Sequence, residues 1–235
     1  FYQTIYLASA ETGKIIKTLV EGERSGTYET LRFLNTSIAW SPDSQQIAFN
    51  AKAGGENAIY MLNIHSQKVI KKLTPNVISL SFLTWSPDGK QMIFTGIKNG
   101  QEDLFLITLD TQEVVQLTND LYSNRHPAWS PDGTRIAFTT DAGDFSDPAK
   151  LQFGPSHLAI YDLTEKTTIL LTNDAANDFA PVWSPDGSLL AFISDRNGLC
   201  KSYLLNMTTP DLTKYSSHNK IIPVTNVNTR TVGLT

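Results

Sequence analysis

The sequence lacks most of the features that announce a chemistry. Its 235 residues hold one cysteine, Cys200, which excludes an internal disulfide; no histidine-bearing signature surrounds it. No run of about 18 apolar residues occurs, so no membrane-spanning helix is expected. Neither sign of charge forms a long block: 19 basic and 23 acidic residues leave a formal net charge of -4, which argues against nucleic acid as a general partner. The motifs G-x-S-x-G, H-E-x-x-H and G-x-x-x-x-G-K-[ST] are all absent, and "GERSG" at Gly22 to Gly26 has its serine in the wrong place for a nucleophile elbow. The reading is therefore no enzyme, no catalytic residue and no required cofactor. The sequence opens on Phe1, so its N-terminus gives no export signal to read. The sequons at Asn35 and Asn206 would matter only in a eukaryotic secreted protein.

Tryptophan is scarce as well, and the four present all stand in one phrase. Trp40, Trp85, Trp129 and Trp183 open "WSPDS", "WSPDG", "WSPDG" and "WSPDG", at spacings of 45, 44 and 54 residues. Each copy continues into a short run such as "QIAF", "MIF" or "RIAF", then into a second shared phrase such as "DLFLITLDTQEVVQLTND" or "LAIYDLTEKTTILLTND". Spacings of this length mark one supersecondary unit repeated along the chain.

The apolar residues alternate with period two over five to eight residues, which predicts strands. "SPDG" brings Pro for a fixed φ, Asp to bond the local backbone and Gly for a positive φ, so it predicts a tight hairpin turn. A second turn ("AETG", "DTQE", "LTEK") joins two further strands, giving four antiparallel strands per repeat. The expected fold is an all-β propeller of four-stranded blades in a single domain, 1–235. A partial blade occupies about 1–30 and four complete ones follow over 31–75, 76–119, 120–173 and 174–235. The partial blade would supply only third and fourth strands, which makes the array part of a larger ring, since open edges are a liability. The tryptophans are expected to be structural, packed between blades. Burying one removes about 200 Å² from water, worth up to about 5 kcal/mol. Ser44 stands where the other copies have Gly, and a slightly different turn is expected there.

The stretches "PAWSPDGTRIAFTTD", "LAIYDLTEKTTILLTND" and "PVWSPDGSLLAFISDRNG" resemble the β-propeller repeats of the TolB family of bacterial periplasmic proteins. The resemblance covers almost the whole chain and is specific for fold. Related repeats occur in propellers that gate prolyl-oligopeptidase-type peptidases and in large secreted TolB-like proteins, which "LQFGPSHLAIYDL" resembles more than it does TolB itself. No TolB N-terminal domain is recognisable. The resemblance implies a binding scaffold for a protein or peptide, set in the periplasm or the secreted space. The alternative it carries is the gating propeller of a longer peptidase.

Function is expected where the repeats differ, because ligands meet loops that are free to vary. The approaches to the tryptophans differ most, and they nominate Asn35, Asn124, Arg125, His126 and Asp178 as partner-binding residues near the channel mouth. The alternative is that they satisfy backbone groups there. The link between second and third strands is short in three repeats and about ten residues longer in one, "TDAGDFSDPAKLQFGPSH". Asp141, Asp144 and Asp147 recur there at every third position. They are weak candidates for calcium, which needs about six or more oxygens and, in an EF-hand, acids at alternate positions closed by Glu. A solvated loop that widens one side of the face, without metal, is the expectation.

Overall fold

A computed structural model of the chain describes residues 4–21, 37–208 and 221–224. Eighteen strands and one short 3₁₀ turn, Pro148–Lys150, make up the regular structure of these residues. β1 (Ile5–Ala8) and β2 (Ile15–Val20) pair alone as a two-stranded antiparallel sheet. Four meandering four-stranded blades follow. Blade one is β3 (Ile38–Trp40), β4 (Gln46–Ala53), β5 (Glu56–Asn63) and β6 (Lys68–Leu73). Blade two is β7 (Ser79–Trp85), β8 (Gln91–Ile97), β9 (Glu102–Thr108) and β10 (Val114–Gln116). Blade three is β11 (Asn124–Trp129), β12 (Arg135–Thr140), β13 (His157–Asp162) and β14 (Thr167–Leu170). Blade four is β15 (Asp178–Trp183), β16 (Leu189–Ser194), β17 (Lys201–Asn206) and β18 (Ile221–Pro223).

Period-two alternation sends each strand's side chains to two faces, and each face meets a neighbouring blade. The core is therefore a series of layers. Ala48, Ile59, Met61 and Leu73 of blade one pack on Met92, Phe94, Phe105 and Ile107 of blade two. Ile93, Leu104 and Leu106, from the other face of blade two, pack on Ile136, Phe138 and Tyr161 of blade three. Ala137, Leu158 and Ile160 then pack on Leu190, Phe192 and Tyr203 of blade four.

The β1–β2 pair obeys the same rule. Ile5, Leu19 and Val20 pack on Ile47, Phe49, Tyr60 and Leu62 of blade one. Lys17 of β2 donates to the carbonyl of Ile64, and Lys71 of β6 donates to the carbonyl of Leu109. The half-blade thus stands to blade one as β5 and β6 stand to blade two, as the outer third and fourth strands. The partial blade read from the sequence is present in this form.

The turns repeat atom for atom. In all four, the residue after Pro-Asp donates its N–H back to the serine carbonyl: Ser44 to Ser41, Gly89 to Ser86, Gly133 to Ser130 and Gly187 to Ser184, at 2.9–3.0 Å. The aspartate accepts the serine hydroxyl and a backbone N–H two residues on, as Asp88 does from Ser86 (2.6 Å) and Lys90 (3.0 Å). Ser44 has φ 59° beside 71°, 72° and 71° for the glycines, so the different turn expected there is not found. Serine accepts the left-handed conformation because the turn's hydrogen bonds hold it there, at a modest cost.

Candidate binding faces

The innermost strands β3, β7, β11 and β15 all run toward the SPDG turns, so their last residues meet around the axis. Trp40, Trp85, Trp129 and Trp183, with Pro42, Pro87, Pro131 and Pro185, line one open cavity of about 610 Å³ at that end. The indole N–H of Trp85 donates to Ala39 of the preceding blade (3.3 Å), and that of Trp183 donates to Ala128 (3.2 Å). The prolines of the first three turns also lie on the next blade's turn. A Cβ on Gly89 would sit 3.8 Å from Pro42, one on Gly133 3.9 Å from Pro87, and one on Gly187 3.7 Å from Pro131. One phrase therefore builds both the blade-to-blade contact and an aromatic funnel, and Trp40 is 50% exposed within it. Sequence reasoning took the tryptophans for fold residues alone. The signal it passed over is their shared register at the end of the first strand, which brings all four to the axis.

The turn carboxylates are held ionised. The serine hydroxyls, followed by backbone N–H groups, bring Asp43, Asp88 and Asp186 below the usual carboxylate range, Asp186 to about 2. At Asp132 partial burial opposes this, but the hydrogen bonds from Ser130 and Thr134 prevail and the value is again lowered.

At the opposite end the repeats diverge. Asn35 lies outside the described residues. Asn124 is buried, its side-chain amide bonded to Asp120 (3.0 Å) and the Tyr122 carbonyl (3.2 Å). Both partners belong to the connection that leads into β11. Asp178 is 0% exposed and takes a bidentate contact from Arg196, 2.9 Å to each oxygen. Burial pushes this carboxyl up, while the hydrogen bonds of Ser194 and Arg196 pull against it. The Arg196 guanidinium lies over the rings of Phe192 and Tyr203, at 5.6 and 5.3 Å. Asp178 thus sits within the blade instead of on an accessible loop, because it is already part of β15 and pairs with Ser194 of β16.

His126 has φ 52° at a bulge in β11, and its ring tilts against Phe82 of β7 at 4.1 Å. Phe82 and Ala180 hold the same left-handed conformation at the matching bulges of β7 and β15. Burial, with the charge of Arg125 beside it, lowers the His126 pKa to about 4, so the ring is neutral at pH 7. Arg125 is the most open of the described partner-binding candidates, with a side chain 46% exposed and paired with Glu102, while His126 is half-buried.

The long link of blade three, residues 141–156, stands on this same end. Asp141 accepts the N–H of Ser123, Asp147 pairs with Lys150, and Asp144 donates its N–H to Asn173. These three carboxylates are not brought to one centre, and among the described residues no group of His, Cys, Asp or Glu is arranged to hold a metal ion. What the link does present is apolar. Phe145, Leu151 and Phe153 are exposed there, Leu151 by 82%, with exposed Leu121 on the neighbouring connection. Among the described residues no helix is long and apolar enough to cross a membrane.

Comparison with known proteins agrees with this architecture. The family model of the TolB beta propeller domain matches residues 21–146. TolB from Acinetobacter baumannii superposes with a TM-score of 0.67 at 24% identity over 94% of this chain and 48% of that one. A prolyl endopeptidase structure superposes with a TM-score of 0.61 at 14% identity, over 95% of this chain and 33% of that one. A 72-residue stretch, 31% of this chain, is 35% identical to the uncharacterized peptidase YuxL of Bacillus subtilis, of which it spans 10%. The chain thus corresponds to about half of the Acinetobacter TolB structure and to a small part of the curated peptidase.

Proposed function

This chain belongs to the TolB beta propeller domain family, and on that premise we propose that it is a non-enzymatic scaffold that binds a protein or peptide in the bacterial periplasm or secreted space. The observation that carries the reading is the concentration of exposed apolar side chains, Phe145, Leu151 and Phe153 on the long link of blade three and Leu121 on the neighbouring connection, with Arg125 in the approach to the same blade. Exposed apolar groups rimmed by polar ones mark interaction sites. Aromatic and arginine side chains are also the usual anchors of interfaces. The partner-binding role of Arg125 is retained in this proposal. Asn124, His126 and Asp178 act beneath it by fixing the loops.

A photo-crosslinking residue at Leu151, in cells that make the protein, tests the reading. A discrete protein adduct from Leu151, absent with the same probe at Ile16 on the outer strand, is expected. Adducts from Ser44 on the SPDG end with none from Leu151 would move the site to the tryptophan funnel.

A second reading follows from the resemblance to YuxL and to the prolyl endopeptidase: the propeller gates a hydrolase domain in a longer chain. Peptide hydrolysis by the protein encoded by the whole reading frame, lost on mutation of a serine in a following α/β domain, would establish it.

A further inference from the structure

His157 opens β13 at the foot of the long link, and it is 1% exposed with no hydrogen-bond partner for either ring nitrogen. A buried histidine in this condition is unusual, since buried polar atoms are nearly always paired. The matching position in blade two holds Asp103: Leu104 and Leu158, one residue on, both donate their N–H to a threonine hydroxyl, Thr118 and Thr172, at 2.9 Å. Asp103 is fully used, accepting from Thr118 (2.9 Å) and Gln116 (2.9 Å) and interacting with Asn124 of the next blade. In blade three the acid has moved across the blade boundary. His157 replaces Asp103, Asp178 replaces Asn124, and Thr172 turns to Asp178.

The link closes over this ring. A Cβ on Gly143 would fall 2.7 Å from His157 Cδ2 and 2.8 Å from Nε2, so only glycine allows the contact. The Phe145 ring lies 6.5 Å from the imidazole, and the N–H of Asp144 is bonded to Asn173 at 3.0 Å. Between its ends the link is held by its own bonds: Ser146 donates to the Asp141 carbonyl and accepts the Gly154 N–H, and Asp147 exchanges backbone bonds with Gln152, while Asp141 is tied to Ser123 and Ser156 to Asn177 and Asp178 where the link leaves and rejoins the blade.

From this geometry we infer that residues 141–156 form a pH-operated lid, closed over neutral His157 and released when His157 takes up a proton. The groups facing the ring are Asp144 on the lid, Asp174 after β14 and Asp178 on β15, the last two bound to Arg196. Burial lowers the His157 pKa, and these three carboxylates raise it only in part. An open lid restores the ring to water and removes the burial that lowers it, while Asp174 and Asp178 stay beside the ring, so the open value is at least the ordinary one near 6.5. The closed state, with the lower value, is therefore fully favoured above that open value and loses ground as pH falls below it. The consequence for binding rests on the reading of this face as a docking surface, because the lid carries Phe145, Leu151 and Phe153. The lid itself is tested without any partner.

Hydrogen exchange over residues 141–156 of the free chain, corrected for intrinsic rates, is compared at pH 7.5 and 5.5. Wild type is expected to lose protection in this segment by about three- to tenfold, the most that one proton linked to a group of ordinary pKa near 6.5 allows. His157→Gln removes the pH dependence, while Gly143→Ala lowers protection at both pH values. Strands β8 and β16 keep their protection in each protein, which separates lid opening from unfolding. Equal protection at both pH values in wild type, or a parallel loss in His157→Gln, overturns the inference. Should either variant fail to fold, the imidazole titration of wild type by NMR decides: a midpoint at or above 6.5 overturns it. Failure of the Leu151 crosslink with a lid that still titrates would remove the docking surface and leave the lid standing.

Discussion

The two ends of this propeller are built on opposite plans. At the SPDG end, four turns share the same serine, aspartate, left-handed fourth position and hydrogen bonds, and the first three share the same proline contact with the next blade. At the other end the described connections differ in length and composition, and although the bonding of Asp141 with Ser123 recurs as Asp195 with Asn177, the buried acids are satisfied in different ways: Asp103 with Thr118 and Gln116, and Asp178 with Arg196. The contrast separates two demands on a repeat protein. Neighbouring blades must stack at a fixed angle, which any one turn geometry repeated will secure. A binding face must differ from its neighbours, and every difference requires its own set of hydrogen bonds when it is buried.

The comparison breaks most visibly at the tryptophans. Trp129 is buried between blades two and three, and its N–H has no partner, so Trp129→Ala loses packing alone. The expected cost is about 3–5 kcal/mol, or a melting midpoint lowered by about 10 °C in a thermal scan. Arg196→Ala strikes the other end nearly as hard. It leaves Asp178 buried without its cation, and loss of one partner of a buried pair costs about 3 kcal/mol or more, read from denaturant unfolding. An equal melt for Arg196→Ala and wild type would show that the diverged end does not depend on its buried network.

The SPDG turns give a smaller and pH-dependent effect. Asp43, Asp88 and Asp186 have folded pKa values below the 3.8 of a free aspartate. Their contribution is present above that value and is lost as pH falls through the folded values, toward about 2 at Asp186. The urea midpoint is expected to fall between pH 4 and pH 2, and less steeply in an Asp88→Asn, Asp186→Asn double variant. Ser130→Ala, which removes the hydroxyl bonded to Asp132 at 2.6 Å, costs about 0.5–1.5 kcal/mol at pH 7. Smallest is Arg125→Ala, whose exposed pair with Glu102 is worth less than about 1 kcal/mol. Its melt is expected to match wild type, while calorimetry against a crosslinked partner shows binding weakened by about 1 kcal/mol or more.

Most of the fold was legible because it is written four times. Alternation in "MIFTGI" and "RIAFTT" identified β8 and β12, and the four turns located the hairpins. The half-blade was legible too, since "TIYLASAETGKIIKTL" carries the second shared phrase without the first. The site was less so. Arg125 was found on the surface, but Asp178 and Asn124 proved to be interior, because loop-like composition before a strand does not reveal how deep the strand begins. His157 and Arg196 were passed over, as each looks like an ordinary polar residue beside a turn. Their meaning depends on Asp178, Asp174 and Gly143, which lie 14 to 22 residues from one or other of them along the chain and meet only in the folded blade.

By itself, the sequence determined the strands, their count per blade, the SPDG turns and the place of the long link, because each depends on residues within a few positions of one another. The tertiary structure decided which side chains of the diverging loops face water. It also decided that four fold-forming tryptophans converge into one funnel, and that His157 lies shut beneath Gly143. Those outcomes depend on distances between separate blades, and a distance across a packed interface is fixed only when both sides are folded against each other.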